Sequence, residues 1–137
     1  MIKNLTRARE ISVTTRNEIG ALSRMMSFLV NHGINIEAIA GYSNSTGDSG
    51  NLVFITNNNK TAITELLKNG YEEIAEKDAI VIELENKPGA LKNISELLAL
   101  SSISIEYIYC TTCSGGCAAK VVLSTSDNDT ASQILMS

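Results

Sequence analysis

The sequence predicts an α+β fold built from two ferredoxin-like β-α-β-β-α-β repeats, each an antiparallel sheet with its helices on one face. Three observations carry this. Displacing the 137-residue chain by 69 positions lays residues 10–68 on 79–137 without a gap, and 18 of those 59 pairs are identical. Each copy opens on alternating apolar and polar residues, the period of a strand, and then passes to apolar residues spaced by three and four, the period of a helix. The elements follow one another in the order of a split βαβ unit in both copies. The expected modules are residues 1–77 and 78–137. A single copy has a marginal core, so two placed edge to edge or face to face share a larger one.

Ile11 and Val13 alternate with Ser12 and Thr14, and Ile80, Ile82 and Leu84 alternate with Val81, Glu83 and Glu85. Both runs read as strands. A turn follows, Asn17-Glu18-Ile19-Gly20 in one copy and Asn86-Lys87-Pro88-Gly89 in the other. Leu22, Met25, Met26 and Leu29 then draw an apolar stripe along a helix, as do Leu91, Ile94, Leu97 and Leu98. His32-Gly33 stops the first helix, the glycine supplying left-handed backbone. Ile34–Tyr42 reads as a strand, Asn44–Gly50 as a loop and Leu52–Thr56 as the next strand. Thr61–Lys68, with Ile63, Leu66 and Leu67, is a short helix ended by Asn69-Gly70, and Tyr71–Lys77 is a weaker last strand. The second copy stops at Ser137, the equivalent of Lys68. Its second helix is Thr130–Met136 and its last strand is absent. One side of the strand 79–85 is thus left to residues 1–8, to another chain, or to nothing, and a bare edge is a pairing site.

Composition narrows the function. The net charge is −4, from 11 basic and 15 acidic residues, which argues against a nucleic-acid or anionic-membrane partner. The same element order serves RNA-recognition modules, but those need stacking aromatics on central strands, where this chain has Val13, Val53 and Ile55. No apolar run approaches the length of a membrane span, and the first residues have no signal-peptide pattern; a cytoplasmic location is expected. One His, no Trp and three Cys leave little for catalysis. A non-catalytic protein with no cofactor is expected.

The turns are the candidate ligand sites. A helix start presents unpaired N–H groups and the positive end of the helix dipole, which favour a carboxylate. Gly20 and Gly89 let a ligand approach the backbone, and Asn17 and Asn86 offer both a donor and an acceptor. The same pattern also serves as an ordinary turn feeding a helix.

The repeated pattern of strand, Asn-x-x-Gly-Ala-Leu, helix, Ile-x-Ile-Glu and strand resembles the ACT domain, a regulatory module that senses amino acids. Asn86-Lys87-Pro88-Gly89-Ala90-Leu91 matches that family's turn closely, and Gly33-Ile34-Asn35-Ile36-Glu37 matches its start of strand 2. The first copy has Ile19 where Pro is usual, and the second has Ser104 where Asn is usual. The resemblance implies two modules side by side through their second strands, with ligand between the turn of one and the start of strand 2 of the other. Carried over, residues Asn86–Leu91 face Asn35, while Asn17, Gly20, Ala21 and Leu22 face Ser104, and the Asn86 site is the stronger. Thr15 and Leu84 stand where some relatives place a His used in serine recognition. The implied ligand is an amino acid; since ligand can signal only by preferring one arrangement, and a β-edge shared between chains is the simplest two-state element, a homodimer with allosteric signalling through its interface is expected. Gly20-Ala21-Leu22-Ser23-Arg24 and Asn35-Ile36-Glu37 are also similar to the small subunit of acetolactate synthase, which adds an enzyme as a possible partner.

Cys110, Cys113 and Cys117 have no counterpart in the first copy. They read as plain thiols, as a redox disulfide (Cys110 with Cys113, or Cys113 with Cys117), or as weak metal candidates that lack a fourth ligand. His32, ending a helix, reads as a solvated residue. Glu37 and Glu106 read as recurring strand residues on the open side of the sheet or at a subunit contact. Tyr107 and Tyr109 read as packing residues.

Overall fold

The computed structural model describes residues 1–43 and 48–137. Its elements in chain order are β1 (Ile2–Arg16), α1 (Ala21–Val30), β2 (Ile36–Ser43), β3 (Ser49–Thr56), α2 (Asn59–Lys68), β4 (Ile74–Leu84), α3 (Ala90–Leu100), β5 (Ile105–Thr111), β6 (Ala119–Thr125) and α4 (Asn128–Met136). Several strand bounds differ from those expected. The runs expected at 71–77 and 79–85 form one strand, β4, which starts at Ile74, and β1, expected around Ile11 and Val13, begins at Ile2. The strand expected from Ile34 begins at Ile36, because Ile34 turns into the core after Gly33. Of the loop expected at Asn44–Gly50, Ser49 and Gly50 belong to β3, and residues 44–47 lie outside the described residues.

Two compact units result. One is Arg9–Lys77; the other joins Met1–Ala8 to Asp78–Ser137, so the boundary does not fall between contiguous halves 1–77 and 78–137. In the first unit the strand order is β2-β3-β1-β4, all neighbours antiparallel where register is defined, with Ile11 opposite Phe54 and Arg16 opposite Ser49. Its core is Ile11, Val13, Met25, Leu29, Phe54 and Leu66, the apolar faces of β1, β3, α1 and α2. In the second unit the order is β1-β4-β6-β5, and Ile80, Ile82, Ile94, Leu98, Leu123 and Leu135 fill the equivalent places. Burial of side chains of this size supplies roughly 1.5–3 kcal/mol each. The expected helix stripes are narrower than their spacing suggests. Leu22, Leu91 and Leu97 are 49%, 46% and 42% exposed.

The second repeat has no last strand of its own, and residues 2–8 stand in its place. Ile2 and Leu5 pack on the second core as Tyr71 and Ile74 pack on the first. These pairs obey the same displacement of 69. The end is tied by the Glu85 N–H donating to the Met1 carbonyl at 3.0 Å. Ion pairs follow the same equivalence with signs exchanged. Glu76 meets Arg9 at 3.7 Å, and Arg7 meets Asp78 at 3.5 Å and Asp129 at 2.8 Å. Such surface pairs add little energy each.

A second repeated device closes the far corner of each unit. The side-chain carbonyl of Asn59 accepts the Thr56 N–H and hydroxyl at 3.2 and 2.6 Å, and its amide donates to the Arg9 carbonyl at 2.9 Å. Asn128 does the same with Thr125 at 2.9 and 2.8 Å and with the Asp78 carbonyl at 3.1 Å. Asn58 and Asp127 cap α2 and α4, accepting from Thr61 and Thr130 N–H. Asp127 also accepts the Thr130 hydroxyl at 2.6 Å. That hydroxyl bond, and then the backbone bonds, hold the Asp127 carboxyl below its usual range. Because its folded value is depressed, its stabilisation is present above the ordinary aspartate value and is lost as pH falls through the folded one. Urea midpoints measured from pH 6 downward should therefore fall less steeply in Asp127→Asn than in the parent. Parallel curves would show that the cap carries no pH dependence.

His32, read from sequence as solvated, places Nε2 3.1 Å from Glu65 Oε2 on α2. The helix end brings it there, since α1 and α2 lie side by side on one face of the sheet.

Candidate functional site

Both turns are built alike. Glu18 N–H donates to the Arg16 carbonyl at 3.1 Å and Ala21 N–H to the Glu18 carbonyl at 3.2 Å. In the second copy Lys87 N–H donates to the Glu85 carbonyl at 3.0 Å and Ala90 N–H to the Lys87 carbonyl at 3.3 Å. Gly20 and Gly89 then take φ of +84° and +90°, the left-handed region that disfavours any side chain. Neither α1 nor α3 has a side-chain cap, whereas α2 and α4 both do. Ala21 and Ala90 N–H bond back into their turns, and no capping side chain covers the rest of the first turn of α1 or α3, whereas one covers Thr61 N–H in α2 and Thr130 N–H in α4.

Asn17, Asn86, Lys87, Pro88 and Leu91 are exposed, and Ala90 is buried under α3. Ile19, where the second copy has Pro88, is fully exposed. The turns differ in charge. Glu18 sits where the other copy has Lys87. Glu18 accepts from Arg24 at 3.0 Å, and that bond, with the charges of Arg24 and Arg16, holds its carboxyl below the usual range. Lys87 meets Glu85 at 2.8 Å and lowers the Glu85 carboxyl in the same way, first by hydrogen bond and then by charge.

A hollow of about 340 Å³ lies at the first turn, between Asn17, Ala21 and Leu22 and the strand ends at Gly41, Gly50 and Asn51. Gly41 lines it, and a Cβ there would stand 2.6 Å from Leu52 Cδ2, so Leu52 would have to shift. The second copy has Cys110 and Val121 at those two positions, a larger residue set against a smaller one. Asn35 and Ser104 lie at the opposite end of their own units. Asn35 N–H donates to Asn57 Oδ1 at 2.9 Å, and Ser104 N–H to Ser126 Oγ at 3.0 Å, at the starts of β2 and β5.

Two further hollows had no signal in the sequence. One, about 390 Å³, lies behind the first turn among Arg16, Glu18, Arg24, Phe28, Tyr71 and Glu73. Its Phe28 and Tyr71 rings meet edge-on at 6.3 Å, and burial raises the Tyr71 hydroxyl above its ordinary value. Its equivalent in the other unit, about 340 Å³, is lined by Ile2, Leu84, Lys87, Ala90, Leu97 and Met136, and is mostly apolar. Walls drawn from 69–73 and from the first residues become neighbours of the turns only in the folded sheet.

Cys113 and Cys117 form a disulfide in the loop between β5 and β6, and Cys110 is a free, exposed thiol. Among the described residues no three His, Cys, Asp or Glu side chains converge on a metal position. Glu106 accepts from the Ser124 hydroxyl at 3.2 Å. Tyr107 and Tyr109 are half-buried on β5. No helix is long and apolar enough to cross a membrane among the described residues.

The chain is similar to known proteins in sequence and in fold. The sequence model of the ACT domain pair matches residues 6–137. A solved protein from Bacteroides thetaiotaomicron is 27% identical, with a TM-score of 0.87 over 98% of this chain and 90% of that one. The ligand-free regulatory subunit of aspartate kinase from Thermus thermophilus superimposes with a TM-score of 0.69 at 14% identity, covering 98% of this chain and 94% of that one. The corresponding subunit from Thermus flavus gives 0.65 at 13%, with 98% and 94% covered. Among curated proteins none matches this chain.

Proposed function

Since the chain belongs to the ACT domain pair family, we propose that it is a non-catalytic regulatory protein that binds an amino acid at its helix-start turns and signals occupancy through an interface between copies. The observation that carries this is the contrast in helix capping: α2 and α4 each start on a capping side chain, while α1 and α3 begin on a left-handed glycine, with no side-chain cap on the N–H groups that follow Ala21 and Ala90. Those donors suit a ligand carboxylate. Lys87 adds a cation at the Asn86 turn, where the other turn has Glu18, and this favours the Asn86 turn as the stronger site. Asn35, reached from a neighbouring module, is the second wall in this reading, and Ser104 the shorter alternative.

Signalling requires that ligand prefer one arrangement over another. Among the described residues β2 and β5 each pair on one side, so each leaves an edge to which a second copy can add. A homodimer through such an edge is the two-state element proposed. The named function of the similar Thermus chains favours a second form of the same reading, in which the protein is the regulatory subunit of a separate amino-acid biosynthetic enzyme. Co-purification with a catalytic partner distinguishes it from a free-standing sensor.

The test is a thermal-shift screen against the twenty amino acids, followed by calorimetry. A ligand at ~100 times its Kd adds ~2.7 kcal/mol of stability. Asn86→Ala should weaken binding by about tenfold, the worth of one well-placed hydrogen bond, and Asn17→Ala by less. Equal losses would remove the inequality of the sites. No shift with any amino acid would sink the reading.

A further inference from the structure

We propose that the Cys113–Cys117 disulfide is a redox switch on the Asn86 turn: oxidised, it holds the loop carbonyl of Cys117 away from the Asn86 N–H, and reduced, it lets that carbonyl dock there. The effect on ligand rests on the reading of this turn as a binding site; the switch itself does not.

The first repeat shows the docked state. There the Asn17 N–H donates to the Asp48 carbonyl, tying the turn to the loop between β2 and β3. A displacement of 69 maps Asn17 onto Asn86 and Asp48 onto Cys117. The loop between β5 and β6 stands at the same end as its turn, because Leu84 is opposite Ala119 in the β4–β6 register. Yet the equivalent bond is missing. The Cys117 carbonyl accepts the Thr112 hydroxyl at 3.1 Å, and the Cys117 N–H donates to Cys113 Sγ at 3.2 Å. Both main-chain polar groups of Cys117 thus bond within their own loop, which the Cys113–Cys117 bond closes. Asn86 N–H has no partner among the described residues.

The bond is suited to switching rather than to holding the fold. It spans a sequence separation of four, so it restricts little of the unfolded chain and acts locally. Both cysteines are exposed. A dithiol reductant attacks Cys117 Sγ as thiolate; the S–S bond breaks and Cys113 leaves as a thiolate stabilised by the Cys117 N–H. The second thiol of the reductant then resolves the mixed disulfide. Two electrons come from the reductant, which ends as a disulfide, and Cys113 and Cys117 each gain a proton. Exchange with a small-molecule disulfide reverses the step. In the oxidised state the open Asn86 N–H adds a donor beside the start of α3; in the reduced state Cys117 occupies it.

The experiment follows the Asn86 amide by 15N NMR in the full chain, oxidised and in excess dithiothreitol, with the Asn17 amide as internal reference. Reduction should slow hydrogen exchange at Asn86 by about tenfold, as gain of one hydrogen bond implies, and leave Asn17 unchanged. The double variant Cys113→Ser, Cys117→Ser should show the slow exchange without reductant, and Cys110→Ser should retain the redox response. Identical Asn86 exchange in both states, or alkylation of Cys113 and Cys117 in the unreduced protein, overturns the switch. An amino acid bound equally by both states overturns its effect on ligand. Failure of any amino acid to bind, with the Asn86 response intact, removes the functional reading and leaves the switch standing.

Discussion

Removal of residues 1–8 should unfold the unit containing Asp78–Ser137 at a clearly lower urea concentration, while Arg9–Lys77 keeps most of its stability. The segment supplies the strand beside β4 in that unit and places Ile2 and Leu5 on its core. Two half-buried aliphatic side chains contribute about 1 kcal/mol each, and the lost ladder and Arg7 pairs add to that. A loss of about 2–4 kcal/mol is expected, a large share of the stability of a domain this small. The exposed edge of β4 should also promote association. Amide signals of Val121 and Leu123, compared with Phe54, report the two units separately, since each lies buried in its own core. Equal midpoints for the two groups in the truncated chain would show that the segment is dispensable.

Asn128→Ala should cost about 2–3 kcal/mol, and Asn59→Ala a similar amount in its own unit. Each Asn holds the N–H and hydroxyl of a buried Thr and a strand carbonyl, and Asn59 also donates to Glu76 Oε2 at 3.1 Å. Thr56 and Thr125 are 8% and 5% exposed, so water does not freely replace the lost partner. Asn128→Asp keeps the acceptor but loses the amide donor to the Asp78 carbonyl and should recover only part of the loss. Urea denaturation of the single variants tests this. Losses within about 0.5 kcal/mol of zero, the range of an ordinary surface change, would mean that the corner is held by packing alone.

Much of this architecture was legible in the chain. The 69-residue displacement, the alternation of Ile80, Ile82 and Leu84, and the spacing of Ile94 and Leu98 depend on short stretches whose periodicity states which face is buried. The Asn-x-x-Gly turns were legible for the same reason, because a left-handed residue before a helix calls for glycine at that position and nowhere nearby. What spacing overstated was the width of the helix stripes, since Leu22, Leu91 and Leu97 satisfy the period but stay exposed. The charged hollow at Arg16, Arg24 and Tyr71 and the choice of Cys113 as partner of Cys117 left no periodic trace.

The amino-acid order by itself therefore determined the duplication, the sequence of strands and helices and the place of both turns, because each is set by local backbone preference and by one-dimensional periodicity. Only the tertiary structure decided that residues 2–8 complete the second sheet. Backbone ladders are nearly indifferent to side-chain identity, so Ile2 and Leu5 agree with Tyr71 and Ile74 in being apolar and packed, and in nothing that a comparison of letters would detect. Which edge meets which strand is settled by chain reach and burial in three dimensions.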